Sequence, residues 1–286
     1  MKLDSSTKKI DKTIFNLERY PISTVGGDSY SSLVDRCREK LAEDGSCVLH
    51  EFVNLPALKQ MQKEASQISP KAYRTNTEQN VYYSTDDATL DSAHPARQFF
   101  RRSSGFVAAD YITEDMALRQ MFESEALRRF MEDCRDAGPL FRYADPLGDM
   151  VLNVVGNGQT LPWHFDTPEF SVTVMIQKAQ NGGEFEYAPN IRSVGDENFD
   201  AVKGVLQGDR TYVKRAPLEA GALQMFHGRC SLHRVRPVDD GRERITAVLG
   251  YVDEPDIVAR PHRVRQLFGR ALEIHHEREI TDGLLD

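Results

Sequence analysis

One short segment, Leu161-Pro-Trp-His-Phe-Asp-Thr, contains two side chains that commonly bind metal ions, His164 and Asp166. In an extended strand, residues two apart leave the same face, so this imidazole and carboxylate converge while Phe165 points away. A third ligand must come from elsewhere, and His233 qualifies because it lies on a different predicted strand. Two His and one carboxylate on one face of an iron(II) ion leave its other positions open for a chelating co-substrate and dioxygen.

A His-x-Asp pair is a weak signal by itself, because a lone His in a strand is usually a satisfied structural side chain. Arg244 and Thr246 strengthen the signal. They are also two apart on one predicted strand, where a guanidinium and a hydroxyl together can bind a carboxylate. The alternative for Arg244 is a surface salt bridge with Glu243 or another acidic neighbour. The combined pattern predicts a metal centre with a carboxylate-binding group nearby.

This pattern resembles the iron(II)/2-oxoglutarate-dependent dioxygenase superfamily, whose core carries HxD, a distant His and a downstream RxS or RxT; here these are His164, Asp166, His233, Arg244 and Thr246. The resemblance implies an α+β fold with a double-stranded β-helix core, jelly-roll and cupin-like, and flanking helices. It also implies Fe(II), 2-oxoglutarate and O2 as cofactors, with decarboxylation of 2-oxoglutarate to succinate and CO2. In such a site the far carboxylate of 2-oxoglutarate would meet Arg244.

Three segments are similar to a narrower subgroup, the carrier-independent amino acid halogenases and their hydroxylating relatives: Trp163-His-Phe-Asp, Phe185-Glu-Tyr-Ala-Pro-Asn and Leu223-Gln-Met-Phe-His-Gly-Arg-Cys-Ser-Leu-His. Halogenating members have Gly in place of the carboxylate ligand, which frees a position for chloride. Asp166 occupies that position here, so the resemblance implies hydroxylation of a free amino acid or similar small polar metabolite. Desaturation, cyclisation or halogenation by the same chemistry, or a barrel that binds metal and 2-oxoglutarate without turnover, are the alternatives.

Four further residues are candidates for ligand contacts. Asn153 lies on the strand before the HxD pair and is a candidate for hydrogen-bonding 2-oxoglutarate, or else for satisfying a backbone group. Trp163 is a candidate pocket wall, although an aromatic beside a ligand is more often plain packing. Arg101 and Arg102 lie in an irregular segment where a guanidinium could bind a substrate carboxylate; the alternative is a solvated basic pair.

The elements that must position these residues follow from the hydrophobic periodicity. Helices are predicted at residues 30–41, from 54 to 70, at 114–134 and at 260–278, and residues 73–104 lack clear periodicity. Predicted strands lie at residues 46–53, 150–156, 170–177, 184–187, 211–214, 222–227, 231–235 and 245–252. This order predicts an N-terminal arm at residues 1–27 and one oxygenase domain at 28–286. Within it, residues 28–145 provide helical and loop support, 146–255 the β-helix core and 256–286 a C-terminal helical segment.

The composition restricts the class of partner. With a net charge of −8 over 286 residues, the chain lacks the clustered Lys and Arg that bind phosphate backbones, so we expect a small-molecule substrate and no nucleic acid. No window approaches the roughly 20 apolar residues of a spanning helix, and the first residues are polar, so we expect no membrane association. Four scattered cysteines suit a reducing cytoplasm. A homodimer is compatible with the sequence, which does not fix the assembly state.

Overall fold

Two antiparallel sheets form the centre of the computed structural model, which describes residues 11–282. The larger sheet has the strand order β1-β13-β9-β16-β7-β5-β2, and the smaller has β12-β11-β14-β8. The strands are β1 (Ser46–Leu49), β2 (Tyr73–Arg74), β3 (Thr77–Gln79), β4 (Phe100–Arg102), β5 (Gly105–Val107), β6 (Phe141–Arg142), β7 (Met150–Val155), β8 (Leu161–His164), β9 (Ser171–Gln177), β10 (Asn181–Gly182), β11 (Phe185–Ala188), β12 (Lys214–Ala216), β13 (Leu223–Phe226), β14 (Leu232–Val235), β15 (Val238–Asp240), β16 (Arg244–Leu249) and β17 (Tyr251–Val252).

Helices flank both sheets. They are α1 (Asp28–Asp44), α2 (Leu55–Ile68), α3 (Ala117–Phe122), α4 (Glu125–Arg135), α5 (Phe199–Leu206), α6 (Pro261–Phe268) and α7 (Glu273–Asp282). Among the described residues, no helix combines the length and the apolar character needed to cross a membrane. The predicted α+β class with a double-stranded β-helix core and flanking helices is confirmed.

The alternation of side chains along β7 and β16 assigns the two faces of the larger sheet. Leu152 and Ala247 belong to the main apolar core, which α1 to α4 cover. The alternate residues of each strand leave the opposite face, where Val155 of β7 packs against Val235 of the smaller sheet. Burial of both faces explains why all six residues of β7 are buried. Polar side chains on this inner face therefore lie in the interior between the two sheets.

Several element boundaries differ from the sequence prediction for local reasons. The helix predicted at 114–134 is two helices, because Ser124 caps α4 by accepting a hydrogen bond from the Leu127 N–H at 3.2 Å. The helix predicted at 260–278 is broken at Gly269, whose φ of 74° ends α6. The strand predicted at 211–214 begins later, since Asp209 Oδ1 binds both the N–H and the hydroxyl of Thr211 in a turn.

The remaining differences concern strands. The strand predicted at 46–53 ends at Leu49, and Glu51 then adopts a left-handed φ of 56° that extended backbone does not allow. The strand predicted at 245–252 is interrupted at Gly250, where the N–H donates to Asp149 O at 2.7 Å. The segment 73–104, predicted to be irregular, contains the short strands β2, β3 and β4.

The predicted N-terminal arm lies only partly within the described residues. From residue 11 onward it does not run over the surface, because Ile14, Phe15, Tyr20 and Ile22 are all buried in the main core. Residues 1–10 lie outside the described residues. The buried side chains of this segment do not recur at a regular helical or strand spacing, so they gave no periodic signal.

A buried hydrogen bond between Asp145 and His275 fixes the C-terminal segment to the rest of the fold. Asp145 and His275 are both 0% exposed, and His275 Nε2 lies 3.0 Å from Asp145 Oδ2. Asp145 also accepts the N–H groups of Leu147 and Ala259 at 2.8 and 2.9 Å. His275 Nδ1 accepts the Leu272 N–H at 2.8 Å, which makes the Nε2–H the donor to Asp145. One carboxylate thereby connects three segments: the residues before β7, the residues before α6, and α7.

We expect Asp145→Ala to lower the free energy of unfolding by about 3 kcal/mol or more, because it leaves two buried N–H groups and an imidazole without their partner. Chemical denaturation measures this change. Asp110→Ala is the matched control, since Asp110 is 43% exposed and pairs with Arg270 at the surface; its loss should cost under about 1 kcal/mol. Equal losses in the two variants would contradict the anchoring role.

Candidate metal centre

The two imidazoles come from neighbouring strands of the smaller sheet. β14 pairs with β8 in an antiparallel register that places His233 directly opposite His164. Their ring centroids are 4.1 Å apart, and both side chains are buried. Each Nδ1 is hydrogen-bonded to the carbonyl two residues earlier in its own strand, His164 to Pro162 O at 2.8 Å and His233 to Ser231 O at 2.9 Å. Since a carbonyl only accepts, both Nδ1 atoms carry the proton and both Nε2 lone pairs are free to bind a metal.

Asp166 completes the group just beyond the end of β8. Its Oδ1 lies 3.6 Å from His164 Nε2 and 3.4 Å from His233 Nε2. Among the described residues these three form the single group of His, Cys, Asp and Glu side chains whose ligand atoms all lie within 4.8 Å of one another. Burial opposes ionisation, but His233 and His164 hold the pKa of the Asp166 carboxyl well below its usual range. Burial first, and the neighbouring His233 second, lower the pKa of His164, which favours the neutral imidazole that binds metals.

Two contacts hold the Asp166 carboxylate in place. Ser171 Oγ donates to Asp166 Oδ2 at 2.6 Å, which leaves Oδ1 turned toward the imidazoles. The Asp166 N–H donates to Gly228 O at 3.0 Å, and a Cβ on Gly228 would lie only 2.7 Å from Asp166 Cγ. Neither contact was predicted. The Gly in the turn after β13 and the Ser opening β9 are visible in the sequence, but only the tertiary structure places them beside Asp166.

The donor set fits an iron(II) ion. Two neutral imidazoles and one carboxylate, converging from one side with their second atoms already hydrogen-bonded, are the ligands that oxygen-activating iron sites use. A cavity of about 180 Å³ reaches this group from the surface and is lined by Asp166, Tyr83, Phe165 and Arg229, among others. His164, Asp166 and His233 would hold the metal, and ligands would approach it from the side that the cavity leaves open.

Arg244, on β16, is a buried cation inside the barrel. Arg244 is 3% exposed, and its Nε has no hydrogen-bond partner within residues 11–282. Burial alone lowers the pKa of Arg244 to about 10. The surface salt bridge considered for Arg244 does not form, because Glu243 pairs with Arg74 at 2.9 Å. A guanidinium removed from water without a counterion is costly, so this position fits an anionic ligand such as the distal carboxylate of 2-oxoglutarate.

The other two residues predicted near 2-oxoglutarate share that interior face. Thr246 and Asn153 are paired across β16 and β7, and each is 4% exposed. The Thr246 hydroxyl lies 3.8 Å from Met175 Sδ, and the Asn153 amide donates to Gly105 O at 3.4 Å. A cavity of about 260 Å³ has Arg244, Met175 and Phe185 in its wall, and neither Thr246 nor Asn153 lines it. The structure thus brings Arg244 to a cavity and leaves Asn153 at least partly engaged with backbone.

The three residues predicted to bind substrate lie in different surroundings. Arg102 is 3% exposed, and its Nε and Nη2 are buried without hydrogen-bond partners in the described part of the chain. Arg101 is exposed, and its Nε donates to Asn76 Oδ1. Trp163 leaves the strand face opposite to His164 and packs with Phe165 in a separate apolar cluster. The guanidinium of Arg234 lies 4.6 Å from its ring centroid. Only Arg102 has the surroundings of a ligand-binding group.

Tyr83 was not predicted. It follows β3, has an unusual φ of 58° and lies with its ring centroid 6.0 Å from that of His164. A left-handed conformation in a bulky residue is strained and is often found at functional sites. Burial raises the pKa of Tyr83 to about 12, with Arg263 opposing the rise and Asp166 adding to it. No periodic or motif signal in the segment 73–104 could have identified this residue.

Comparison with known proteins was informative at the level of family. A sequence model of the Halogenase D family matches residues 30–265, which is most of the chain. The chain belongs to the Halogenase D family. No curated protein sequence matches it. The narrower subgroup indicated by the sequence segments around His164, Phe185 and His233 is therefore confirmed at family level.

Solved structures share the fold of this Halogenase D family member at low sequence identity. The non-heme α-ketoglutarate-dependent epimerase SnoN from nogalamycin biosynthesis superposes with a TM-score of 0.54 at 12% identity, covering 78% of this chain and 83% of SnoN. The carbocyclase SnoK from the same biosynthesis gives 0.53 at 11% identity, covering 76% and 83%. AviO1 from Streptomyces viridochromogenes Tue57 gives 0.52 at 17% identity, covering 78% and 95%.

The family and the fold together place the chain in the iron(II)/2-oxoglutarate-dependent oxygenase superfamily. The predicted enzyme class, an iron(II)/2-oxoglutarate-dependent dioxygenase with Fe(II), 2-oxoglutarate and O2 as cofactors, follows from this placement and from the His-Asp-His group. Within the Halogenase D family, the presence of Asp166 is the feature that bears on the reaction outcome.

We expect Gly228→Ala to weaken metal binding by about 10- to 100-fold, because the added Cβ displaces the Asp166 carboxylate that Gly228 now accommodates. Titration calorimetry with Mn²⁺ measures the affinity, and thermal melting reports whether the variant folds. Gly204→Ala is the control, since a Cβ there would have no neighbour closer than 3.6 Å. Unchanged Mn²⁺ affinity in folded Gly228→Ala would show that Asp166 does not need this space.

Proposed function

We propose that this protein hydroxylates a C–H bond of a free amino acid or a similarly small polar metabolite, with 2-oxoglutarate converted to succinate and CO2. The observation that carries this proposal is the full His164, Asp166, His233 ligand group with Asp166 in contact distance of both imidazoles. A carboxylate at that position leaves no ligand site for chloride in place of residue 166. Hydroxylation is therefore favoured over halogenation, despite the name of the family.

Bound iron and 2-oxoglutarate supply the oxidising chemistry, and the protein supplies position and charge. His164 and His233 hold their Nε2 atoms toward the metal through the Nδ1 bonds to Pro162 O and Ser231 O. Ser171 keeps Asp166 Oδ1 available by binding Oδ2. Arg244 orients 2-oxoglutarate by binding its distal carboxylate, and Thr246 lies on the same face of β16 to assist.

Arg102 is the residue that we propose binds the substrate carboxylate. Its guanidinium carbon lies 4.9 Å from the ring centroid of Phe106, which is paired across strands with Asn153. Directly paired residues leave the same sheet face, so Arg102 lies over the interior face that also carries Thr246. A buried guanidinium without a counterion is a natural partner for an amino acid carboxylate. The neighbouring Arg101 and the outward-facing Trp163 are not included in this proposal.

The proposal predicts succinate formation that depends on Fe(II), 2-oxoglutarate, O2 and a suitable substrate. We expect a screen of amino acids and common derivatives, analysed by mass spectrometry in the presence of chloride, to give a product heavier by one oxygen atom. Loss of two hydrogens would indicate desaturation or cyclisation, and a chlorinated product would overturn the argument from Asp166. If no compound stimulates decarboxylation and 2-oxoglutarate does not bind, the chain is not an oxygenase of this kind.

Replacing Arg244 separates co-substrate binding from metal binding. We expect Arg244→Ala to weaken 2-oxoglutarate by about 10- to 100-fold, because a charge-assisted hydrogen bond to the carboxylate is lost. Mn²⁺ affinity should stay unchanged, since Arg244 is not among the metal ligands. Anaerobic titration of the Fe(II) protein with 2-oxoglutarate measures the first quantity, with Arg242→Ala, an exposed Arg that donates to Lys178 O, as the control. Equal 2-oxoglutarate affinity in the two variants would contradict the assignment.

A further inference from the structure

Arg263 and Arg102 are two cations in the neighbourhood of Tyr83, whose ring lies beside that of His164. Arg263 of α6 lies with its guanidinium carbon 5.3 Å from the Tyr83 ring centroid. Arg102 of β4 is buried, and burial together with the charge of Arg263 lowers the pKa of Arg102. A buried guanidinium without a partner, with a second positive charge within electrostatic range, destabilises the unliganded protein unless an anion binds. This pair therefore needs an explanation beyond packing.

The packing around α6 shows why the two cations approach each other. Phe106, whose ring lies under Arg102, packs against the cluster that contains Val264 and Phe268 of α6. Arg263 is the neighbour of Val264 in sequence, and its Nη1 donates to Gln266 within the helix. The helix thus closes over the interior face of β5 and β7, and it brings Arg263 to the same end of the barrel as Arg102. The hydrogen bonds that Asp145 accepts from Ala259 and His275 keep that helix in place.

The local charge balance is positive. Within residues 11–282 no carboxylate forms an ion pair with Arg102. The carboxylate that acts on Tyr83 is Asp166, which is already engaged with the two imidazoles and with Ser171. Ser104, two residues after Arg102, is 0% exposed, and its hydroxyl is buried without a hydrogen-bond partner. The site thus offers two positive charges and a free hydroxyl.

The geometry points to a substrate that carries two acidic groups, such as an acidic amino acid, with one carboxylate on Arg102 and the second on Arg263. This inference rests on the proposed function and narrows its substrate class. A single carboxylate would be matched by Arg102 alone, whereas a second guanidinium near the metal centre is matched by a second negative charge. A basic amino acid is disfavoured, because its side-chain ammonium would approach Arg263 without a carboxylate free to receive it.

The test is anaerobic titration calorimetry of the Fe(II) protein saturated with 2-oxoglutarate, so that Arg244 is already occupied. The ligands are L-aspartate and L-glutamate, the corresponding amides L-asparagine and L-glutamine, whose side chains are uncharged, and L-lysine. We expect at least one acid to bind about 10- to 100-fold more tightly than its own amide, since the amide lacks the charge that Arg263 would receive. If neither acid binds more tightly than its amide, or if L-lysine binds as well as the acids, the inference is wrong.

Three variants of α6 locate the effect. We expect Arg263→Gln to abolish the preference for acid over amide, and Arg263→Lys to retain most of it because the charge remains. Arg265→Gln is the matched control, an exposed Arg on the same helix that lies 3.1 Å from His276 Nε2, and it should leave the preference unchanged. Arg102→Gln should weaken acid and amide alike. Retention of the acid preference in folded Arg263→Gln would overturn the assignment of the second carboxylate.

These binding results are independent of the proposed reaction. If neutral amino acids stimulate succinate formation and acids show no binding preference, the oxygenase stands and the acidic substrate is wrong. If an acid binds through Arg263 but no compound stimulates decarboxylation of 2-oxoglutarate, the anion site stands and the proposed hydroxylase does not.

Discussion

The convergence of two imidazoles and one carboxylate across β8 and β14 is the constraint on which the rest of the site depends. Direct pairing of His164 with His233 brings their rings to 4.1 Å, and each ring is oriented by a carbonyl of its own strand. The two strands therefore supply both position and tautomer without any other side chain. Asp166 lies beyond regular structure and needs outside support, which Ser171 and Gly228 give. A carboxylate so confined has little freedom to move aside for another ligand.

The distribution of positive charge distinguishes the interior from the rest of the molecule. The chain carries a net charge of −8, yet Arg244 and Arg102 are buried guanidiniums, and Arg244 has no ion pair within the described residues. Their desolvation is unfavourable for the unliganded protein. The same desolvation strengthens their attraction for small carboxylates, because little water remains to screen the charges. The unliganded fold is thus destabilised at positions where an anionic ligand can bind and stabilise it, which is a common arrangement at binding sites.

The C-terminal helices extend the site beyond the β-helix core. Asp145 joins the segment before β7 to the start of α6 and to His275. Because α6 covers the interior face of β5 and β7, its position determines where Arg263 stands relative to Tyr83. The candidate metal ligands come from the core whose fold this protein shares with other α-ketoglutarate-dependent enzymes. The residues proposed to bind the substrate, Arg102 and Arg263, come from the irregular segment 73–104 and from α6, so they could vary while the metal site is kept.

The sequence by itself predicted the candidate metal ligands and Arg244 from residue types and short spacings, and its resemblance to a known superfamily predicted the fold class. Residues two apart on a strand share a face, and His164 with Asp166, or Arg244 with Thr246, can be recognised from that spacing. Only the tertiary structure decided which nearby residues face the cavity. Trp163 points outward, Arg102 rather than Arg101 is buried, and Tyr83, Ser171 and Gly228 lie beside ligands far from them in sequence. These contacts depend on how separate segments pack, and no local pattern of residue types encodes that packing.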